Sequence, residues 1–154
     1  MLAVLSLAFP EAARAYTNTT TGTVNLAGSV ALVCSLSVNS SGATTVFPNI
    51  SQGTTNTSLG TITETCNDAN GYKVTLTTAN NEQFKGSTSN TLIPYGLTYN
   101  GSAVSFSSGS ATITPSGSRT TPAGVSKSLN ITFPAGFYTA DSYSDTLTIT
   151  MISQ

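Results

Sequence analysis

The sequence predicts an all-β protein folded as an antiparallel β-sandwich. Composition is the first reason: 28 Thr and 22 Ser supply 50 of the 154 residues, and many of the Thr residues alternate with Val, Ile and Leu. β-Branched and aromatic side chains fit the pleated, half-buried surface of a strand. Periodicity is the second reason, because many short segments alternate between apolar and polar residues, and none shows the 3.6-residue period of a helix.

Turn residues divide the chain into short predicted strands, with no linker, repeat or second domain between them. The segment with Pro94 must form an edge or contain a bulge, because proline has no N–H to donate. Seven to nine short strands with frequent turns are typical of a sandwich. The predicted strands are residues 21–33, 44–47, 59–66, 72–78, 92–99, 104–106, 111–114, 126–133 and 145–152.

Charge and residue usage exclude several classes of function. The net charge is −1 with only five Lys and Arg residues, so a basic surface for nucleic acid is not expected. The chain contains no His, which is the commonest general base and metal ligand. We therefore expect no enzyme, no catalytic residue, no metal site and no cofactor.

The N-terminus has the features of an export signal. Residues 1–15 contain a short apolar run that ends at Pro10, followed by the small-x-small pattern of Ala13, Arg14 and Ala15. No basic residue precedes the run, so we interpret it as a truncated signal peptide cleaved after Ala15. The run is too short to span a membrane. The alternative is a buried first helix or strand.

Two cysteines are present, Cys34 and Cys66, and they form no CxxC motif. In an exported chain a pair of cysteines most often forms one structural disulfide. Closing a loop of this size would stabilise the fold by roughly 3–4 kcal/mol. The alternative is two reduced, buried thiols.

The first predicted strand is too long for a single strand of a sandwich. At about 3.3 Å per residue, residues 21–33 would extend over roughly 43 Å, whereas a typical strand measures about 17–20 Å. Either the segment is two strands that meet at Gly28, or its first half does not belong to its own domain.

Four blocks of the sequence carry a resemblance to a known family. Residues 22–34 (GTVNLAGSVALVC) resemble the donor strand and first strand of chaperone–usher pilus subunits. Residues 66–76 (CNDANGYKVTL) resemble the second-cysteine block of the spore coat protein U family, which includes the archaic chaperone–usher pilins. Residues 93–99 are similar to that family's central strand, and residues 135–150 to its closing strand. The resemblance covers essentially the whole mature chain.

The resemblance implies an immunoglobulin-like sandwich that lacks its seventh strand and has a hydrophobic groove in its place. In the family, a periplasmic chaperone fills this groove first, and the N-terminal extension of the next subunit then replaces it by β-strand addition. The chain would accordingly contain a signal peptide (1–15), a donor extension (16–28) and one sandwich domain (29–154).

Particular residues follow from that implied mechanism. In the donor strand, Val24 and Leu26 would fill pockets of the neighbour, and Gly28 would allow close approach of the backbone. The alternative is that Val24 and Leu26 belong to an ordinary first strand paired within its own sandwich. The expected acceptor groove has two sides, with these residues: Val30 and Leu32 on one, and Leu147, Ile149 and Met151 on the other.

The leading functional hypothesis is a structural subunit of an extracellular pilus, or fimbria, that serves surface adhesion and biofilm formation. Its expected partners are other copies or related pilus subunits, a periplasmic chaperone and an outer-membrane usher, and its expected route is through the periplasm to the cell surface. Two alternatives remain. One is a secreted carbohydrate-binding β-sandwich, which the absence of Trp makes less favoured. The other is a spore-coat-like protein of the same fold that does not polymerise.

Overall fold

A computed structural model describes residues 20–40, 47–114 and 119–154. The predicted signal peptide, residues 16–19 of the predicted extension and most of the predicted strand 44–47 lie outside these residues. The chain divides into two units, Met1–Val30 and Ala31–Gln154. Each unit is described by itself below.

In the first unit, the described residues 20–30 form neither strand nor helix, and all of them are exposed. The irregular, exposed stretch continues into the second unit as far as residue 33. The predicted strand 21–33 is therefore wrong as a paired strand: among the described residues, regular structure begins at Cys34. The reason is that alternation makes a segment able to pair, but a strand also needs a neighbour to supply its hydrogen bonds.

The second unit is built from strands, and every pairing between them is antiparallel. This confirms the all-β class with antiparallel sheets. The strands are β1 (Cys34–Ser40), β2 (Thr54–Cys66), β3 (Tyr72–Thr78), β4 (Gln83–Gly86), β5 (Leu92–Pro94), β6 (Gly96–Tyr99), β7 (Ser102–Ala103), β8 (Ser110–Ile113), β9 (Val125–Phe133), β10 (Tyr143–Ser144) and β11 (Leu147–Ser153). A single 3-10 turn, Ile50–Gln52, precedes β2.

The strands form three sheets. Sheet 1 has the order β1-β2-β9-β6-β7, sheet 2 has the order β11-β3-β8, and sheet 3 has the order β10-β4-β5. Strands β1 and β11 are both edges, because β1 pairs only with β2 and β11 pairs only with β3 across the part of the chain that the structure describes. In the same part, no helix is long and apolar enough to cross a membrane.

Two predicted strands differ from the observed ones for local reasons. The predicted strand 92–99 divides at Tyr95, so that Leu92–Pro94 pairs with β4 in sheet 3 while Gly96–Tyr99 enters sheet 1. The predicted strand 104–106 is irregular, and β6 instead turns back through Asn100 and Gly101 into β7. Both turn residues have positive φ, which is the conformation a tight hairpin requires.

The core lies between sheets 1 and 2, because alternation directs one face of each strand inward. Ile62, Leu129 and Ile131 come from sheet 1, and Val74 and Leu76 come from sheet 2; all five are buried in one cluster. Fully burying a side chain of this size contributes about 1.5–3 kcal/mol to folding.

The core also contains a carboxylate that the sequence did not single out. Glu64 is fully buried, and the Tyr72 hydroxyl donates a hydrogen bond to its Oε2 at 2.6 Å while the Tyr99 hydroxyl donates to its Oε1. Burial raises the pKa of both phenols above the ordinary value, and the bonds to Glu64 add to that effect. The two hydroxyls satisfy a polar group that would otherwise cost several kcal/mol to bury.

The predicted disulfide is confirmed. Cys34 and Cys66 are bonded, and they lie opposite each other in the register of β1 and β2. The bond joins the first residue of β1 to the last residue of β2. It therefore fixes the chain at the point where the irregular N-terminal stretch becomes a strand.

The long connection from β9 to β10 is held at several points. The Gly136 N–H donates to the Ser51 carbonyl at 3.0 Å, and the Tyr138 hydroxyl donates to the carbonyl of Pro134, four residues earlier, at 3.0 Å. Asp141 accepts hydrogen bonds from residues 87–89. Those bonds, led by the Ser89 N–H, hold the pKa of Asp141 well below its usual range.

Candidate functional site

An open groove of about 500 Å3 lies between the edge of β1 and the edge of β11. Val38 and Ser40 line it from β1, and Leu147 and Ile149 line it from β11. The unpaired side of an edge strand presents N–H and C=O groups that can pair with another strand. Both walls of this groove are edges of that kind.

The floor of the groove is the apolar core itself. Leu97, Leu129 and Ile131 are buried residues of sheet 1 that line it, together with the half-buried Leu59. Core side chains are normally covered on all sides, since interiors are close-packed. The groove is thus a gap in the core between sheets 1 and 2.

Aromatic rings close part of the groove. Phe47 and Phe84 line it, and both stack edge-to-face on Phe133, with ring centroids at 5.0 and 5.4 Å. The ring centroids of Phe84 and Tyr95 are 4.9 Å apart. Edge-to-face rings at these distances stabilise one another beyond their buried area. This cluster gives the groove a defined apolar boundary.

The polar residues of the lining are satisfied within the chain. The Tyr95 hydroxyl donates to Oδ2 of Asp145 at 2.7 Å, while Oδ1 accepts from the backbone N–H groups of Asn80 and Thr146. Burial raises the pKa of Tyr95, and the bond to Asp145 adds to the rise. Asp145 therefore fixes the turn that leads into β11 and leaves the rest of the groove apolar.

The groove contains two of the five residues expected for an acceptor site. Leu147 and Ile149 line it, whereas Met151, two residues further along β11, is half-buried against the core outside the lining. Val30 and Leu32 precede β1 and are 89% and 60% exposed.

The opposite wall belongs instead to Val38. Alternation continues without a break from Leu32 through Cys34 and Leu36 to Val38, so the sequence offered several residues of the same face. Only those from Cys34 onward pair with β2. The alternation made Val38 one of several candidates on this face, and periodicity alone did not separate it from Leu32. Phe84 had no such signal, because β4 has only four residues.

The predicted donor residues lie in the first unit. Val24 and Leu26 are 81% and 92% exposed, and Gly28 has open space around its Cα. None of them is in a strand. If the segment became extended, these exposed side chains, spaced two residues apart, would share one apolar face.

No family model matches the chain, and no curated protein is significantly similar to it. Within residues 20–40, 47–114 and 119–154, no group of three or more His, Cys, Asp or Glu residues is placed to hold a metal ion. The groove and the exposed apolar face are thus the features on which a function can be argued.

Proposed function

We propose that this chain is a structural subunit of an extracellular fibre of the chaperone–usher type, and that copies join by donating a strand to one another. In this proposal the second unit is an immunoglobulin-like sandwich that lacks one strand, and the groove between β1 and β11 is the acceptor. The observation that carries the proposal is a core-deep groove bordered by β1 and β11, which are edge strands of their sheets in the part of the chain that the structure describes.

The N-terminal stretch has the properties that such a groove requires of its occupant. Val24, Leu26, Val30 and Leu32 alternate with polar or small residues and are all exposed, with Gly28 in the middle of the series. An inserted strand would place these side chains on the groove floor and its backbone between the two edges. The proposed donor therefore extends from residue 24 to residue 32, beyond the residue 28 expected from the sequence.

The energetics favour a durable link. Each Val or Leu that becomes fully buried contributes about 1.5–3 kcal/mol. Period-2 alternation also fixes the register, because a slip of one residue would turn the polar face toward the core. The exposed edges of the free subunit would be prone to aggregation, which is why we propose that a periplasmic chaperone covers the groove before an outer-membrane usher passes the subunit on.

The proposed location and role follow from the same mechanism. A fibre of this type is exported through the periplasm to the cell surface, and the confirmed disulfide is compatible with an oxidising compartment. Surface adhesion and biofilm formation are the proposed roles of the fibre.

A pair of matched variants tests the donor strand. Leu26→Asp places a charge on the apolar face, and Thr23→Asp places the same charge on the polar face three residues away. We expect the wild type and Thr23→Asp to form ladders in unheated SDS gels and fibres in electron micrographs. We expect Leu26→Asp to remain unassembled, because a carboxylate cannot enter an apolar pocket cheaply.

Two further results would contradict the proposal. One is assembly into denaturant-resistant fibres by protein that lacks residues 16–32. The other is a well-folded, soluble monomer of that truncated protein whose melting temperature does not rise when a synthetic peptide of residues 20–33 is added. A peptide carrying Leu26→Asp is the control for peptide binding.

A further inference from the structure

The outward face of sheet 2 carries hydroxyl side chains in two rows that cross all three strands. The strand register places residues directly opposite one another on the same face. One row is Thr150, Thr75 and Thr112, and the other is Thr148, Thr77 and Ser110. These six residues, here called the hydroxyl grid, are exposed or half-buried.

The hydroxyls of the grid form no hydrogen bond with any residue of the described ranges, so all of them can bind an outside partner. The outward face of sheet 1 is different, although it is also rich in hydroxyl and amide groups. There, Asn130 donates to Asn56 at 2.9 Å, and Thr132 accepts from the Asn56 N–H at 2.8 Å. Thr63 and Ser126 are also 3.4 Å apart. Polar groups on sheet 1 are thus partly satisfied by one another.

The chemistry of the grid suits a second copy of the same face. Each Ser or Thr hydroxyl can both donate and accept a hydrogen bond, so an array of them is complementary to itself when rotated by a two-fold axis. A face with many charges of one sign would repel its own copy. On this face the strands of sheet 2 contribute a single charged residue, Lys73.

We propose that the hydroxyl grid is a lateral contact between copies of this chain, formed when many copies are held in a row. Strand spacing and rise give the grid an area on the order of 200 Å2 per copy. A stable pair of proteins needs about 800 Å2 per partner. Two free copies therefore do not associate through it, whereas rows of copies gain from multivalency.

This proposal rests on the proposed function in one respect: the fibre is what would hold many copies in a row. The grid also borders the groove, because β11 is both its outer strand and a groove wall. A donor strand inserted beside β11 would turn the polar face of the donor, including Thr23 and Asn25, toward the same side. Fibre assembly would then enlarge the contact.

Display on beads tests the contact without requiring polymerisation. Every chain in this experiment carries Leu26→Asp, which blocks the proposed strand donation. The chain of residues 16–154 has a biotin at its N-terminus and is loaded densely on streptavidin-coated particles, and light scattering measures clustering of the particles. Free protein at the same total concentration is examined by analytical ultracentrifugation. We expect the loaded particles to cluster and the free chain to stay monomeric.

Charged substitutions test whether the particles cluster through the outward face of sheet 2. Thr77→Lys with Thr112→Lys should reduce clustering at least tenfold at low salt, with partial recovery at high salt as repulsion is screened. Particles with the two lysines should co-cluster with particles that carry Thr77→Glu and Thr112→Glu. The matched control, Thr61→Lys with Ser128→Lys on the outward face of sheet 1, should cluster like the wild type.

The result that overturns the proposal is either no clustering of wild-type particles or equal loss with both lysine pairs. If the lysine pair in sheet 2 lowers the melting temperature, Thr112→Lys alone on the edge strand β8 is compared with Thr61→Lys. Failure of strand donation would appear separately, in the gel experiment. Neither the wild type nor Leu26→Asp would then form ladders, while the clustering of the particles would be unaffected.

Discussion

Residues 20–33 and strand β11 have the same alternation of apolar and polar residues, yet they are in different states. Leu26 is 92% exposed and lies outside any strand, whereas Ile149 is half-buried and lies opposite Leu76 in the ladder with β3. The two segments differ in what lies beside them and not in composition. Alternation therefore indicates that a segment can pair, while the presence of a free neighbouring edge decides whether it does.

The comparison also bears on the proposed strand donation. β11 is paired on one side and leaves its other edge open to the groove. Residues 20–33 have no ladder on either side. One region therefore offers an edge, and the other offers a strand, which is the relation that strand donation requires.

Removal of the disulfide should have the largest effect on the boundary between the paired strand β1 and the unpaired residues 20–33. Cys34 stands at the boundary, and without the bond β1 could fray into a continuation of residues 20–33. We expect Cys34→Ala with Cys66→Ala to lower the free energy of unfolding by about 2–5 kcal/mol. Urea unfolding measures this, and reduction of the wild type should give the same decrease. A loss below 1 kcal/mol would show that β1 holds without the bond.

A matched pair of truncations sharpens the comparison at single residues. Ile149→Ala removes a half-buried side chain from β11 and should lower the free energy of unfolding by about 1–3 kcal/mol. Leu26→Ala removes an exposed one and should change it by less than about 0.5 kcal/mol. Chemical denaturation of the monomer gives both values. Equal effects of the two changes would mean that residues 20–33 are already packed in the monomer.

Alkaline pH should affect the folded core and leave residues 20–33 unchanged. Among the predicted effects this is the smallest, because it is absent at neutral pH. The pKa of Tyr72, Tyr95 and Tyr99 is raised above the ordinary 10.0 in the folded chain, so the folded state holds these protons more tightly. The stability that they contribute is complete below pH 10 and is lost as the pH rises above it.

The free energy of unfolding should thus fall between about pH 10 and 12. Tyr99→Phe should make this fall shallower, while residues 20–33, which contain no titratable side chain, should stay exposed throughout. Amide hydrogen exchange follows the segment, and urea midpoints follow the fold. A wild-type midpoint that does not change over this range would contradict the role assigned to the buried phenols.

The sequence predicted those parts of the fold that depend on local pattern. Strand β3 has the predicted bounds, and the disulfide follows from the number of cysteines and the export signal. Strand β11 also lies within one or two residues of its predicted range. In each of these, alternation and a covalent constraint agree with the tertiary pairing.

The parts that were missed depend on distant partners. The groove wall at Val38 could not be told from Leu32 by periodicity, because only pairing with β2 separates them. The burial of Glu64 was not predicted, because its partners Tyr72 and Tyr99 come from other strands. Long-range contacts of this kind cannot be predicted from the pattern of a short sequence segment, because the partners lie outside it.

The position of the disulfide has a mechanical consequence for any tension on the N-terminal stretch. A pull at residue 33 would meet β1 at its first residue and would tend to peel it from β2 one hydrogen bond at a time. The Cys34–Cys66 bond stands at that first pair and passes the load directly to β2, the longest of the described strands. Because β2 is also paired with β9, the whole ladder between them would have to shear at once. A linkage through this stretch would therefore resist traction far better than a β1 strand held by its own hydrogen bonds.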